Sequence, residues 1–258
     1  ARARHDGRTM TVLEVKRATK RFGSLVAVRD VSLSVPKGEL RAVIGPNGAG
    51  KTTFFNLISG FFPPNSGTIE FDGRDITQLA AHKRVGLGMA RTFQITEIFP
   101  ELTVFENVRI GAEVAGGYCL RPWISAAEKA GIERRVEEIL KLTGLRSKLD
   151  RLVGELAHGD QRLAEIAMAL TLRPHLLLLD EPTAGMGDRE TYEITQLIRR
   201  LHHDSKLTIV LIEHDMRVVF HLADRITVLD QGSVLAEGTP QEIANNEAVQ
   251  AAYLGKAA

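Results

Sequence analysis

A short segment of this sequence combines three glycines with a lysine and two threonines. Gly45, Gly50, Lys51 and Thr52 fit the spacing G-x-x-x-x-G-K-[ST] of a phosphate-binding loop, or P-loop. Glycines lack the Cβ atoms that would keep backbone N–H groups away from a phosphate chain. Lys51 would bring a positive charge to the β- and γ-phosphates, and the Thr52 hydroxyl would bind Mg²⁺. The pattern predicts a nucleoside triphosphate site formed by Gly45, Pro46, Asn47, Gly48, Ala49, Gly50, Lys51, Thr52 and Thr53.

Acidic residues follow a run of four leucines at 176–179. A buried strand would deliver both carboxylates to the edge of a sheet, where P-loop proteins keep Mg²⁺. Asp180 is the expected metal-side carboxylate, acting through a water molecule, and Glu181 is the candidate general base for the attacking water. The alternative is a strand that ends in two solvated acids.

A histidine follows the apolar run at 209–212 and the acid Glu213. In this position His214 could hydrogen-bond the γ-phosphate and hold Glu181 and the attacking water in line. The chain has eight histidines in all, so a purely structural histidine is the alternative.

These residues need a sheet with helices around it. The apolar segment 40–44 predicts a strand that enters the P-loop, and 53–58 predicts the start of a helix whose dipole adds to anion binding. Residues 173–235 alternate strand and helix patterns, and 11–44 predict an antiparallel β patch. Residues 77–93 and 101–172 are mostly helical in pattern, with an amphipathic helix at 126–142, and 239–254 predict a last helix. The fold class is therefore α/β, a mixed sheet with a helical insertion near 95–172.

Composition narrows the classes of function. The chain has 258 residues, of which 44% are hydrophobic, and its net charge of +1 gives no argument for a nucleic-acid partner. Cys119 is the only cysteine, which excludes an internal disulfide and a cysteine-based metal cluster. No apolar run approaches the roughly 18–20 residues that span a bilayer, so a membrane role requires a partner. Residues 1–9 are basic without a following apolar segment, which predicts a flexible tail rather than a signal peptide.

Five motifs in this order resemble the ATP-binding subunit of an ABC transporter. They are the P-loop, Gln94 in the place of the Q-loop glutamine, the signature segment LAHGDQR at 156–162, the stretch LLLLDEPTAG at 176–185, and His214. The resemblance covers about 12–254. It implies a P-loop NTPase of the ABC ATPase fold with a mixed β core, an antiparallel β subdomain and a helical subdomain at about 95–172, all in a single nucleotide-binding domain, 10–258.

The resemblance also implies a shared mechanism. Two subunits would pair head to tail around two ATP molecules, each held between one P-loop and the opposite signature segment. Gln94 would complete the Mg²⁺ shell beside Thr52 and signal to the membrane partner. Phe22 would stack on adenine with Val28 lining the same pocket, although Phe22 as plain core is an alternative. The signature contacts would come from Ala157, Gly159 and Asp160.

The signature segment departs from the usual L-S-G-G-Q. Ala157 replaces the serine, His158 replaces a glycine, and Asp160 replaces the glutamine, which brings a negative charge near an anionic ligand. We hypothesise that Asp160 caps a helix at 161–170. Gly187 stands where many relatives carry the D-loop aspartate, and Asp188 comes one residue later.

Finer likeness points to the ATP-binding subunits of branched-chain amino acid importers. It lies in the stretches 91–108, 156–170 and 211–255. The implied partners are membrane permease subunits, a second ATP-binding subunit that is identical or different, and, indirectly, a periplasmic or extracellular solute-binding protein. The implied location is the cytoplasmic side of the inner membrane. Import of urea, amides or other amino acids, lipid export, a soluble ABC ATPase and a P-loop kinase are the alternatives.

A segment after Gln94 is apolar with few charges and could form a groove for a helix of the membrane subunit. The alternative is that these residues form the core of the helical subdomain. The residues concerned are Ile95, Ile98, Phe99, Leu102 and Phe105.

Overall fold

The computed structural model describes residues 10–92, 98–118, 121 and 123–254. The strands in these residues are β1 Thr11–Phe22, β2 Leu25–Pro36, β3 Leu40–Ile44, β4 Ser66–Phe71, β5 Arg74–Asp75, β6 Met89–Arg91, β7 Leu176–Asp180, β8 Thr208–Ile212, β9 Arg225–Asp230 and β10 Ser233–Gly238. The helices are α1 Lys51–Ser59, α2 Ala81–Gly86, α3 Val104–Ala115, α4 Ala126–Thr143, α5 His158–Thr171, α6 Asp188–His203, α7 Met216–Leu222, α8 Pro240–Ala244 and α9 Glu247–Leu254. Two 3-10 helices, Arg146–Lys148 and Val153–Glu155, lie between α4 and α5.

The central sheet has the strand order β10-β9-β3-β8-β7-β6. All its neighbouring strands are parallel except β10, which is antiparallel to β9. The strands β3, β7 and β8 are buried along their whole length, and their sequences are accordingly almost continuous apolar runs. Because parallel strands end at the same edge, the P-loop, the end of β7 and the end of β8 meet there.

The second sheet is antiparallel, in the order β2-β1-β4-β5. It confirms the antiparallel β patch over 11–36, whereas β3 at 40–44 belongs to the central sheet. A polar pair, Arg29 and Asp30, interrupts the apolar pattern of β2. The strand β2 passes through these residues, and Asp30 adopts a positive φ of 52° beside a register shift in the pairing with β1. A bulge therefore absorbs the polar pair without ending the strand.

Side chains on opposite faces of the central sheet enter two different cores. Val43, Leu178 and Ile212 face α1 and the antiparallel sheet. Ala42 and Leu177 face the layer of α5, α6 and α7, whose core continues into α3 and α4. The helix α1, which starts at the P-loop, and the helix α5, which starts in the signature segment, thus lie on opposite faces of the central sheet.

The helical elements largely follow the sequence pattern. The helix α4 begins after a capping box formed by Ser125 and Glu128 and ends at Thr143, one residue beyond the predicted range, with Gly144 as its C-cap. Residues 77–93 are not mostly helical, because α2 is a single short helix and 89–91 form β6, which pairs with β7. The predicted last helix is split into α8 and α9.

The predicted flexible tail, 1–9, and Cys119 lie outside the described residues. No helix in the described part of the chain is long and apolar enough to cross a bilayer.

Candidate active site

A cleft of about 570 Å³ opens beside the P-loop at the carboxyl edge of the central sheet. Its walls include residues 47–53, which were predicted to hold phosphates, together with Glu181 and His214. The structure therefore brings the P-loop and both proposed catalytic side chains to one cavity. The remaining lining comes from Leu25, Val26, Ala27, Gln231 and Gly232.

Two glycines of the P-loop are required by close backbone approaches. Gly45 has φ of 152°, and a Cβ there would lie 2.1 Å from the carbonyl oxygen of Leu229. Gly50 has φ of 96°, and a Cβ there would lie 2.3 Å from the carbonyl oxygen of Ala27. Any larger residue would push the loop away from the strands that support it.

Lys51 is nearly buried, with 6% of its surface exposed. Its Nζ donates to the carbonyl oxygens of Gly45 at 2.7 Å and Pro46 at 3.1 Å. Burial lowers the pKa of Lys51, and the carboxylates of Glu181 and Asp180 oppose part of that shift. The ammonium is thus held at the loop in surroundings where a phosphate chain would stabilise its charge.

The helix α1 starts at the P-loop with free space for an anion. Its N-cap is Gly50, which supplies no side-chain hydrogen bond, and its first turn contains no acidic residue. The first N–H groups of a helix lack intrahelical partners and carry the positive end of the helix dipole. A bound phosphate would satisfy both.

Asp180 ends β7 and is 1% exposed. Its Oδ2 accepts a hydrogen bond from Nη2 of Arg91 at 2.8 Å, and its carbonyl oxygen accepts one from Nη2 of Arg162 at 2.6 Å. The other carboxylate oxygen, Oδ1, is buried and has no hydrogen-bond partner among the described residues. Burial raises the pKa of Asp180, and the hydrogen bond and charge of Arg91 oppose that rise.

Glu181 and His214 form a pair at the mouth of the cleft. Nε2 of His214 lies 2.8 Å from Oε1 of Glu181. Glu181 has a positive φ of 48°, and its N–H donates to the carbonyl oxygen of Ile212 at 2.9 Å. The backbone therefore turns sharply after β7 and directs this carboxylate to the histidine that follows β8.

Glu213, which has no predicted role, joins the two turns that carry this pair. It is 3% exposed. Oε1 accepts hydrogen bonds from the backbone N–H of Thr183 at 2.9 Å and from its hydroxyl, while Oε2 accepts from the N–H of His214 at 2.9 Å. The carboxylate thus ties the turn after Glu181 to the turn that carries His214. An acid at the end of a fully apolar strand is the sequence signal that would have identified it.

The two residues expected to hold adenine lie in different environments. Phe22 ends β1 and is 47% exposed, with its ring edge-to-face with Phe62 at 5.5 Å. Its stacking on a base stays a prediction. The expectation for Val28 is wrong, because this side chain is 0% exposed and packs in the core. The preceding residues 25–27 line the cleft instead.

The signature segment lies apart from the cleft, since none of the described residues that line the cleft belongs to 156–162. Ala157 and His158 are exposed, whereas Gly159 is buried at the start of α5. The N–H of Gly159 donates to Oε1 of Glu190 at 3.3 Å. Roles for Ala157, Gly159 and Asp160 toward a nucleotide remain predictions.

The capping hypothesis for Asp160 is wrong. The helix α5 begins at His158, three residues earlier than expected, and its N-cap is Ala157, which makes no side-chain hydrogen bond. Asp160 lies in the first turn, where its Oδ2 accepts a hydrogen bond from Nζ of Lys148 at 2.5 Å. Its charge still lies near the positive end of the helix dipole and is compensated by a lysine.

Gln94 and Ile95 lie outside the described residues. Of the apolar residues after them, Ile98 and Phe105 pack against the core, while Phe99 is 48% exposed. The alternative of core packing therefore holds for Ile98 and Phe105. Phe99 is available for a partner.

Two family models match the sequence. One, described as ABC transporter, matches residues 28–184. The other, described as branched-chain amino acid ATP-binding cassette transporter, matches residues 233–258. The first match spans the P-loop, the signature segment and the acids after β7, and the second spans β10 and the C-terminal helices.

Curated relatives and solved structures agree with these matches. The chain is 40% identical over 252 residues to the high-affinity branched-chain amino acid transport ATP-binding protein BraF of Pseudomonas aeruginosa, covering 95% of this chain and 98% of that protein. It is 40% identical to the corresponding protein LivG of Escherichia coli K12, with the same coverage. The solved ADP conformation of MJ1267, an ATP-binding cassette of an ABC transporter, superimposes with a TM-score of 0.85 at 33% identity, covering 96% of this chain and 100% of that one.

Proposed function

The chain belongs to the ABC transporter family of ATP-binding subunits and is an ATPase, and we propose that it powers the import of branched-chain, hydrophobic amino acids through partner membrane subunits. The observation that carries the proposed chemistry is the Glu181–His214 pair, 2.8 Å apart, at the mouth of the P-loop cleft. The observation that favours the solute is the likeness to BraF and LivG along almost the whole chain. We further propose one nucleotide-binding domain over 10–258, with the helical subdomain at about 95–172.

The P-loop would hold the triphosphate of ATP. The phosphates would lie along residues 47–53, and the free N–H groups at the start of α1 would donate to them. Lys51 would exchange its two carbonyl acceptors for phosphate oxygens, which are better partners for a buried ammonium.

The residues beside the cleft fit a magnesium ion. Thr52 is exposed and lines the cleft, and Oδ1 of Asp180 is a buried acceptor without a partner among the described residues. In the described part of the chain no group of three or more His, Cys, Asp or Glu could hold a metal by itself. We therefore propose that Thr52, phosphate oxygens and a water held by Asp180 bind Mg²⁺, with Gln94 completing the shell. Bound Mg²⁺ would neutralise the charge that develops on the phosphates.

Glu181 would act as the general base. Its carboxylate would accept a proton from the attacking water, while His214 holds the carboxylate in place through the 2.8 Å contact and donates to the γ-phosphate. Glu213 would keep both turns in register during the reaction, since it binds Thr183 and His214 at once.

The closing wall of the site would come from a second ATP-binding subunit. Ala157, Gly159 and Asp160 do not reach the cleft of their own chain, so they are proposed to contact the nucleotide of a partner that is identical or different. The membrane subunits would place the assembly on the cytoplasmic side of the inner membrane, where exposed Phe99 is available for contact. A solute-binding protein would act on it only through these membrane subunits.

Reconstitution tests the proposal. The chain would be co-expressed with membrane subunits encoded beside it, and the purified complex placed in liposomes with the matching solute-binding protein. Leucine, isoleucine and valine should stimulate ATP hydrolysis and enter the liposomes, while Glu181→Gln should abolish both. Stimulation by urea or by polar amino acids alone would contradict the proposed solute class.

A further inference from the structure

Arg91 occupies the last position of β6, and its side chain is 8% exposed between two elements that support the cleft. Its Nη2 donates to Oδ2 of Asp180 at 2.8 Å. Its Nη1 donates to Oδ1 of Asn56 at 2.6 Å and to Oγ of Ser59 at 2.7 Å. One planar group therefore joins the end of β7 to the helix α1.

The joined elements carry the groups proposed to hold the metal. Thr52 is the second residue of α1, and Asp180 is the last residue of β7. Arg91 itself is not among the described residues that line the cleft. It can therefore influence a metal ion only through the groups that it holds.

The hydrogen bond from Arg91 makes the two oxygens of the Asp180 carboxylate unequal. Oδ2 is occupied by the guanidinium, whereas Oδ1 is buried without a partner among the described residues. A charge-assisted bond to one oxygen opposes rotation of the carboxylate and leaves the other oxygen facing elsewhere. Hydrogen-bond partners of this kind, which touch a ligand group and not the metal, orient the groups that bind a metal or its water.

We propose that Arg91 is a positioning residue for the metal site: its guanidinium fixes Asp180 relative to α1 and so sets the separation and orientation of Asp180 and Thr52. This inference rests on the proposed function, in which these two residues serve Mg²⁺. A lysine at position 91 would keep the charge but not the planar fork, so it cannot reproduce all three contacts.

The chain offers a matched control for the loss of a buried arginine. Arg41 in β3 is 2% exposed and pairs with Glu39 at 2.7 Å and Glu237 at 2.8 Å. Its hydrogen bonds within the described structure go to neither α1 nor Asp180. Arg41→Met therefore removes a comparable buried ion pair without touching the proposed metal groups.

The experiment compares Arg91→Met, Arg91→Lys and Arg41→Met with the unaltered chain. Thermal unfolding reports folding, and a fluorescent ATP analogue reports binding in EDTA and during titration with Mg²⁺. The Mg²⁺ concentration for half-maximal hydrolysis is measured at saturating ATP. Arg91→Met should bind the analogue normally in EDTA but require roughly 10- to 100-fold more Mg²⁺ in both titrations. Arg91→Lys should show a smaller shift in the same direction, and Arg41→Met should show none.

A folded Arg91→Met with the Mg²⁺ requirement of the unaltered chain would overturn the inference, as would an equal shift in Arg41→Met. If Arg91→Met does not fold, Arg91→Lys decides, because an unchanged requirement in that variant also overturns the inference. An unaltered chain whose binding and hydrolysis ignore Mg²⁺ would instead refute the metal site in the proposed function.

Discussion

Two helices in this protein begin at segments expected to meet phosphate, and their first turns are built differently. The helix α1 starts after Gly50 with no acidic residue in its first turn and with the ammonium of Lys51 inside it. The helix α5 starts after Ala157 with Asp160 in its first turn and with Glu190 accepting a hydrogen bond from Gly159. Neither N-cap supplies a side-chain hydrogen bond.

This difference supports the proposal that one chain holds half of a nucleotide site. The start of α1 offers unpaired N–H groups and a cation, which together attract an anion. The start of α5 already has carboxylates of its own, so its attraction for an anion is partly compensated. In the proposed function only the first helix start would bind a nucleotide in an isolated subunit, and the second would contact the phosphate of a nucleotide held by another subunit.

The largest expected effect tests whether the α1 site needs a second subunit. Glu181→Gln should lower ATP turnover by roughly 10²- to 10⁴-fold, because an amide cannot take a proton from water. The variant should keep ATP bound and accumulate as a dimer. Turnover would be measured by phosphate release and assembly by size-exclusion chromatography with ATP. If the variant hydrolyses ATP as fast as the unaltered chain, Glu181 is not the general base. A variant that binds ATP but stays monomeric would contradict a site shared between two subunits.

The next prediction compares the lysines at the two helix starts. Lys51→Ala should weaken nucleotide binding to the isolated subunit by roughly 10- to 100-fold, the size expected for lost hydrogen bonds to a charged group. Lys148→Ala removes only the partner of Asp160 and should leave this affinity unchanged. Titration with a fluorescent ATP analogue measures both. Equal losses of nucleotide affinity in the two variants would contradict the claim that only the start of α1 binds the nucleotide in an isolated subunit.

The sequence predicted the α1 side of this contrast far better than the α5 side. The P-loop, the apolar strands β3, β7 and β8, and the acids after β7 are local patterns whose chemistry depends on neighbours in the chain. The capping role predicted for Asp160 is wrong for a different reason. Both its contact with Lys148 and the start of α5 at His158 are set by how the chain folds between α4 and α5, which the local pattern does not show.

Other failures had the same cause. The short strand β6 is defined by its pairing with β7 and not by its three residues. Val28 was expected to line the cleft, but the alternation of β2 directs it into the core. Arg91 and Glu213 have partners distant in sequence, so their roles became visible only when the sheet was assembled.

A smaller effect is expected at the carboxylate that faces the start of α5. Glu190 accepts hydrogen bonds from Gly159 and, at 3.4 Å, from the N-cap residue Gly187 of α6. Glu190→Gln keeps one acceptor oxygen, which can retain the bond from Gly159, and removes a negative charge near the expected phosphate. ATP-dependent dimerisation should tighten by roughly two- to fivefold, corresponding to about 0.5–1 kcal/mol. Analytical ultracentrifugation with non-hydrolysed ATP measures it, and weaker dimerisation would show that this charge is not a barrier.

The smallest effect concerns α6, the helix that carries Glu190 to the start of α5. At its other end, Nε2 of His202 lies 3.0 Å from Oδ2 of Asp224, which also accepts the N–H of Leu40 at 2.8 Å. The hydrogen bond with Asp224 raises the pKa of His202 above 6.5 despite its burial. For Asp224, burial opposes ionisation, but the hydrogen bonds from His202 and Leu40 outweigh it and lower the pKa.

The sign of the pH dependence follows from these two shifts. Below pH 6.5 the histidine is charged in both states and its contribution to stability is complete, and it is lost as pH rises through the raised pKa of folded His202. Asp224 acts in the opposite direction, because its contribution is present above 3.8 and is lost as pH falls through its lowered pKa. The loss on the alkaline side should stay below about 1 kcal/mol, because Asp224 is partly solvent-screened.

His202→Gln should remove this alkaline loss. Urea unfolding of both proteins across pH 5.5–8.5 measures the difference in free energy, which should shrink as pH rises. If the two curves stay parallel, His202 does not change its proton affinity on folding, and its contact with Asp224 makes no pH-dependent contribution to stability.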